Sequence, residues 1–224
     1  MNDRNGIATV PFFARLDEAE RALLTSRLIE RTFERGQQIF AQEDPGHSLY
    51  IIVSGQVRIF TLNEQGQELA LTLLGDGEFF GELALLDGLP RAASAQTIVR
   101  TTTLMLHRDD FLATIRTCPP VAAAILEELA ARLRRSNSYA EQLIGMPATQ
   151  RVVRRLTEIA ERRRSGAASS VVLRLTQEDL ASLAGTSRET VNRALADLRD
   201  AGLVRIERRQ ITVLDIAALW RYTS

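Results

Sequence analysis

The sequence predicts an α+β chain of three consecutive parts: a strand-rich N-terminal half, one long helix, and a helical C-terminal domain that closes with a hairpin. Three observations carry this. From Thr32 to about Asp109, short apolar runs alternate with Gly, Asp and Asn. Strands with turn signals at such close intervals form a β-sandwich or barrel. From Val121 to Ile144 there is no Gly or Pro. Gln177–Ala184 and Ser187–Asp200 then read as two helices on either side of Gly185-Thr186.

Taken in order, residues about 15 to 30 place Leu16, Ala19, Leu23, Leu24 and Leu28 at helical spacing, which predicts a short helix. Leu49–Val53 ends in Ser54-Gly55, Val57–Leu62 in Asn63–Gly66, and Leu69–Leu74 in Gly75–Gly77. Each is a strand followed by a turn. His107 closes the alternating run Leu104–His107 and reads as a strand-end histidine. In the long helix, Leu126, Leu129, Leu133, Ser136, Ala140 and Leu143 are spaced alternately three and four apart, the seam of a coiled coil. Two partners for that seam stay open at this stage, a second copy of the chain or the chain's own barrel. Ser136, with Asn137 beside it, interrupts the apolar stripe. Gly145–Pro147 is a hinge, because both Gly and Pro disfavour helix continuation. Beyond it come a helix over Thr149–Arg163, a loop over Ser165–Ser170 and a short strand over Val171–Leu175. The helix pair follows, then a hairpin of Leu203–Ile206 and Gln210–Leu214, and a closing helix over Ile216–Tyr222.

Composition narrows the function classes. No apolar run approaches the roughly 20 residues that span a bilayer, and no basic stretch with an apolar core opens the chain, so a cytoplasmic protein with no membrane partner is expected. The single cysteine, Cys118, rules out a disulfide within the chain and a four-thiolate metal site. With only His47 and His107 besides, no metal is expected. The net charge of zero conceals an asymmetry. Up to Met146 there are 14 Arg against 19 acidic residues, and beyond it 14 Arg against 9, with no lysine anywhere. The basic C-terminal part is the one suited to a polyanion. There is no Ser/His/Asp set, metal cluster or phosphate loop with lysine, so no enzyme is expected.

The helix pair has the internal logic of a helix-turn-helix. Ala181 is small where the second helix crosses, Gly185 supplies a positive φ for the sharp turn, and Val191 faces inward with Leu180, Leu183, Leu195 and Leu198. Thr176 with Asp179, and Ser187 with Thr190, stand where capping pairs belong. Arg188, Glu189 and Arg193 then fall on the outward face near the N-terminus of the second helix, where side chains reach base edges in a major groove. The competing reading is a solvated face with a Glu189–Arg193 pair four residues apart. Ser187–Arg193 resembles the recognition helix of the cyclic-AMP receptor protein family of bacterial transcription factors, which also includes the fumarate-nitrate regulators. The resemblance implies base contacts from Arg188, Glu189 and Arg193. It implies phosphate contacts from Thr176, Gln177, Ser187 and Thr190.

The run Phe80–Ser94 carries the second constellation. A cyclic nucleotide offers one phosphate charge and a ribose 2′-hydroxyl. Gly81 lets backbone approach, a helical turn from Glu82 through Leu83 and Ala84 points amides at a phosphate, and Arg91 can pair with its oxygens. Glu82 can accept from the hydroxyl, and small Ala92 and Ala93 leave room. The whole run resembles the phosphate-binding cassette of cyclic-nucleotide domains, where alanine after the arginine goes with cyclic AMP. Ala92 therefore implies cyclic AMP as allosteric ligand. Ser136 and Asn137 match the polar pair that contacts the purine in the family, one of the two across a dimer. The alternative is that they only set coiled-coil register. The resemblance runs from about Phe12 to Leu214. Sibling branches that sense oxygen use several cysteines, which the lone Cys118 does not provide.

The full expectation is an α+β fold with a cyclic-nucleotide-binding, jelly-roll-like β-roll over residues 1–118. A dimerisation helix and hinge over 119–146 and a winged helix-turn-helix over 147–224 complete it. The expected partners are double-stranded DNA at a palindromic operator, a second copy through the 121–144 helix, and RNA polymerase, with the loop Arg162–Ser170 as a positional candidate for the last.

Overall fold

The structure is a computed structural model that describes residues 17–66, 68–164, 166 and 168–222. They form two compact units. One takes the chain up to Thr61 together with Thr72–Arg135, and the other takes Leu62–Leu71 and the chain from Ser136.

The elements of the N-terminal region are α1 (Glu18–Ser26), β1 (Ile29–Phe33), β2 (Gln38–Phe40), β3 (Ser48–Ser54), β4 (Gln56–Leu62), β5 (Glu68–Gly75), β6 (Phe79–Phe80), α2 (Leu83–Asp87), β7 (Ser94–Thr97), β8 (Thr101–His107), α3 (Arg108–Thr117) and α4 (Pro119–Gly145). The strands form two four-stranded sheets, ordered β1-β8-β3-β6 and β2-β7-β4-β5. Strand β3 shows why the run Leu49–Val53 is so apolar. Successive residues point to opposite faces, so Ile51 enters a core cluster with Leu24, Leu49, Phe79, Leu104 and Phe111. Ile52 enters another with Val57, Leu74, Phe80 and Ala95. Both faces of the strand are buried, one under Leu24 of α1, Phe111 of α3 and Val121 and Ile125 of α4, the other against Val57, Leu74 and Ala95 of the second sheet.

The first helix is shorter than its spacing predicts. Leu24 and Leu28 are buried as expected, but Ile29 and Glu30 belong to β1 and pair with Met105 and Leu104 of β8. The β-branched Ile29 and Thr32 and the available edge of β8 outweigh the helical periodicity. Leu16 and the side chains of Ala19 and Leu23 lie outside the described residues. His107 is the last residue of β8, as its pattern predicts. Helix α4 seats Val121 and Ile125 on the first core cluster, with Leu129 packed partly against it. Leu126 and Leu133 point away and are 67% and 63% exposed.

In the second unit, Met146-Pro147 breaks the helical path, with Pro147 as the N-cap of α5 (Ala148–Arg163). Then come β9 (Val171–Leu173), α6 (Gln177–Ala184), α7 (Arg188–Asp200), β10 (Val204–Glu207), β11 (Gln210–Val213) and α8 (Ile216–Tyr222). Strand β9 stops two residues earlier than expected, at the point where the backbone turns (Leu175 N–H to the Leu173 carbonyl, 3.1 Å) toward the helix cap at Thr176. Strands β10, β11 and β9 make one antiparallel sheet, with Val204 opposite Val213 and Ile211 opposite Leu173. Leu156, Leu180, Val191, Leu195 and Leu198 are fully buried between the helices. Ser165 and Ala167 of the preceding loop lie outside the described residues.

Candidate nucleotide cassette and DNA-reading helix

The cassette is built around one buried arginine. Arg91 is 4% exposed. Its Nη1 donates to the Gly81 carbonyl at 2.7 Å and its Nη2 to the Ser48 carbonyl at 2.8 Å. Its Nε is buried with no acceptor. The guanidinium lies over the Phe40 ring, 4.2 Å from its centre. Phe40, Tyr50 and Phe80 form an aromatic group, Tyr50 and Phe80 stacked at 5.3 Å. Burial pushes the Arg91 pKa below the ordinary arginine value, against the fields of Tyr50, Glu82 and Asp44, which raise it. Burial likewise raises the Tyr50 phenol, against Arg91 and Arg31.

Two glycines make this packing possible. Gly81 has φ +85°, and a Cβ on it would lie 2.7 Å from Arg91 Nη1. A Cβ on Gly46 would overlap that of Ala84. Glu82 is the N-cap of α2, which continues through Leu83 and Ala84. Ala92 is exposed, Ala93 half-buried, and Ser94 buried with its Oγ accepting from Gln42 N–H at 2.9 Å.

Glu82 is 3% exposed and its charge is met by a residue that sequence reasoning missed. Arg132 of α4 donates through Nη1 to Glu82 Oε1 at 2.9 Å and through Nη2 to the Phe79 carbonyl. Its Nε reaches Glu128 Oε1 at 3.0 Å, and its guanidinium stacks 4.7 Å from the Phe79 ring centre. The only sequence signal was Glu128-x-x-x-Arg132, which reads as an ordinary helix-surface pair. Phe40, Ser48 and Tyr50 were missed as well, since nothing local ties them to residues forty positions away. Ser136 and Asn137 are both exposed on α4.

The second constellation is set by short-range rules. Thr176 Oγ1 accepts from Asp179 N–H at 3.1 Å, and Asp179 Oδ2 accepts from Thr176 N–H at 2.8 Å, a reciprocal capping box. Gly185 adopts φ +57°, and Thr186 N–H bonds the Ala181 carbonyl at 3.0 Å. Ser187 Oγ accepts from Thr190 N–H at 3.2 Å and caps α7. Arginines from α5 finish the turn: Arg151 donates to the Ala184 and Gly185 carbonyls, and Arg155 to that of Leu183. These otherwise open helix-end carbonyls gave no signal in the local sequence. Gln177 is half-buried at the start of α6. Arg188, Glu189 and Arg193 are exposed on the outward face of α7, as the pattern predicts. The Glu189–Arg193 pair does not form. Arg193 Nη2 instead approaches Thr190 Oγ1 at 3.5 Å, and among the described residues Glu189 has no side-chain partner.

A β-roll holding a buried cation in a glycine cradle, joined in one chain to a capped helix-turn-helix, defines a class: a ligand-binding transcription regulator. Comparison with known proteins agrees. The cyclic nucleotide-binding domain family matches residues 30–118, and the Crp-like helix-turn-helix domain family matches residues 150–222. The CRP-like cAMP-activated global transcriptional regulator of Mycobacterium tuberculosis is 38% identical over 217 residues, 96% of this chain and 97% of that one. The Cyclic AMP receptor protein of Thermus thermophilus is 40% identical over 209 residues, 93% and 94% of the two chains. Among solved structures, the Thermus thermophilus catabolite activator protein aligns with TM-score 0.55 at 38% identity, covering 95% of this chain and 98% of that one. The c-di-GMP responsive global regulator CLP of Xanthomonas campestris aligns with TM-score 0.73 at 25% identity, covering 88% and 99%. The chain belongs to the cyclic-AMP receptor protein/fumarate-nitrate regulator family of transcription regulators, a family of DNA-binding regulators and not of enzymes. Among the described residues no group of His, Cys, Asp or Glu is arranged to hold a metal, and no helix is long and apolar enough to cross a membrane.

Proposed function

We propose that this regulator is a homodimer that responds to cyclic AMP and reads a palindromic DNA site. The observation that carries the ligand reading is Arg91, a buried cation whose partners among the described residues are carbonyl oxygens and a ring face. A guanidinium has five N–H donors, and these two carbonyl bonds leave three, including the buried Nε. Such a cation fits one cyclic phosphate. Arg91 binds the phosphate oxygens, and the backbone at Gly81, Leu83 and Ala84 supplies amides beside it. Glu82 accepts from the ribose 2′-hydroxyl, and Ala92, small and exposed, selects cyclic AMP over cyclic GMP. Ser136 and Asn137 contact the purine.

The exposed Leu126 and Leu133 support a second copy as the partner of the α4 seam over the chain's own barrel. Thr176, Gln177, Ser187 and Thr190 hold phosphates, while Arg188, Glu189 and Arg193 contact base edges. The free carboxylate of Glu189 supports specific readout, because a carboxylate facing DNA is costly unless it accepts from a base such as cytosine. The loop 162–170 remains the candidate surface for RNA polymerase, and a cytoplasmic location goes with this function.

A second ligand class is favoured by one observation, the c-di-GMP responsiveness named for the structural relative CLP. Calorimetric titration with cyclic AMP, cyclic GMP and cyclic di-GMP separates the readings. The expected order has cyclic AMP tightest, with Arg91→Leu abolishing its binding while the circular dichroism spectrum is retained. Undiminished cyclic AMP binding by Arg91→Leu, or preference for another nucleotide by the unmodified chain, would overturn the assignment.

A further inference from the structure

We infer that Tyr139 is a positioning residue for DNA reading: with Arg155 it clasps the last turns of α4 to the helix-turn-helix, so that movement of α4 reaches α7. This rests on α7 being the reading helix and on cyclic AMP being the ligand. The division between the two units falls between Arg135 and Ser136, ahead of the break at Met146-Pro147. The last turns of α4 therefore cluster with the DNA-reading unit, and the side chains show how. Tyr139 is 8% exposed, and the Arg155 guanidinium lies over its ring, 4.0 Å from the centre. A cation on an aromatic face is held more firmly when the pair is shielded from water.

The same guanidinium donates through Nε to the Leu183 carbonyl at 3.0 Å and through Nη1 to Glu158 Oε2 at 3.2 Å. Glu158 in turn accepts through Oε1 from Gln142 Nε2 at 3.0 Å. Tyr139 and Gln142, one turn apart on α4, are thus tied to α5, and Arg155 carries the tie to the end of α6. Arg151 closes it by donating through Nη1 to the Met146 carbonyl at 2.9 Å while holding those of Ala184 and Gly185. A Cβ on Gly185 would lie 3.0 Å from Tyr139 Oη and 3.1 Å from Leu143 Cδ2, so the end of α4 packs directly on the sharp turn. The helix-turn-helix has its own core, with Leu156, Leu180, Val191, Leu195 and Leu198 fully buried, and its helices are capped by Thr176 and Ser187. Tyr139 adds something else. Its clasp bridges the break at Met146-Pro147, resists bending there, and makes α4 from Tyr139 onward one lever with α6 and α7.

The test is operator affinity with and without saturating cyclic AMP for the unmodified chain, Tyr139→Leu, Tyr139→Phe and Arg155→Lys. Leucine is a good helix former that fills the buried space without offering a ring face, and phenylalanine restores the face. Lysine keeps the charge of Arg155 but removes the planar fork that joins Leu183 and Glu158. The expected result is that Tyr139→Leu and Arg155→Lys each lower the ratio of the two affinities by about threefold or more, while Tyr139→Phe stays within about twofold of the parent. Calorimetry shows cyclic AMP still binding to all of them. A merely structural role would lower Tm and leave the ratio unchanged. A parent-like ratio in Tyr139→Leu or Arg155→Lys, or equal losses in Tyr139→Leu and Tyr139→Phe, would overturn the role of Tyr139 alone. If cyclic AMP does not stimulate the unmodified chain, the ligand reading fails and this inference fails with it.

Discussion

Replacing Arg132 with methionine removes the cation that meets the Glu82 carboxylate and leaves the hydrocarbon volume in place. The Glu82 side chain is 4% exposed and that of Arg132 is 22% exposed. Breaking a buried ion pair costs roughly 3–5 kcal/mol because one charge stays buried and unpaired. Water reaches the Arg132 side, so about 2–3 kcal/mol is the appropriate scale. For a chain of this length that corresponds to a fall in Tm of about 5–10 °C. Glu82→Gln leaves no unpaired carboxylate, because Arg132 keeps Glu128, and costs only about 1 kcal/mol for a weakened hydrogen bond. The double variant, Glu82→Gln with Arg132→Met, is therefore less damaged than the sum of the singles by at least about 1 kcal/mol. Urea unfolding followed by far-ultraviolet circular dichroism measures all four proteins. Additivity within about 0.5 kcal/mol would refute the claim that Arg132 holds the cassette carboxylate.

Two other outcomes follow from the same contacts. Gly185→Ala is expected to destabilise the chain by about 1–3 kcal/mol, since φ is +57° and the new Cβ would sit 3.0 Å from Tyr139 Oη and 3.1 Å from Leu143 Cδ2; a urea midpoint equal to the parent's would count against this turn geometry. Glu128 is partly buried, which raises its pKa, but hydrogen bonds and charge from Arg132 and Arg135 more than offset this and hold it below the ordinary carboxylate value. Its contribution is therefore present above the unfolded-state pKa and lost as pH falls through the lower folded value. The Tm gap between parent and Glu128→Gln should be widest near neutral pH and close as the solution is acidified toward pH 3, and a gap independent of pH would reject the ion pair as its source.

The parts of this molecule that were legible in the sequence are those fixed by short-range chemistry. The helix-turn-helix follows from the capping partners of Thr176 and Ser187, the left-handed turn at Gly185 and the inward spacing of Ala181 and Val191. The strands β3, β4 and β5 were visible because they are apolar and closed by turns. Strand β1 was not, since Ile29-Glu30-Arg31-Thr32-Phe33 has three exposed residues in its middle and is a strand only because β8 offers an edge. Helix α3 has no expectation in the sequence for a related reason: it opens on the polar stretch Arg108-Asp109-Asp110, and burial of Phe111 against distant segments is what stabilises it. In the cassette, Gly81, Glu82 and Arg91 stood out as a motif. The aromatic wall of Phe40, Tyr50 and Phe80 and the clamp from Arg132 are contacts between distant segments, for which no local periodicity exists.

The central claim is that nucleotide capture at Arg91 governs DNA reading by α7. The direct measurement is operator affinity by gel shift on a two-fold symmetric site, with and without saturating cyclic AMP, for the unmodified chain and for Arg91→Leu. The account predicts that cyclic AMP tightens binding by the unmodified chain about tenfold or more, within the usual range of allosteric coupling, and leaves Arg91→Leu at its basal affinity. Equal affinity with and without nucleotide in the unmodified chain, or full stimulation of Arg91→Leu, would contradict it.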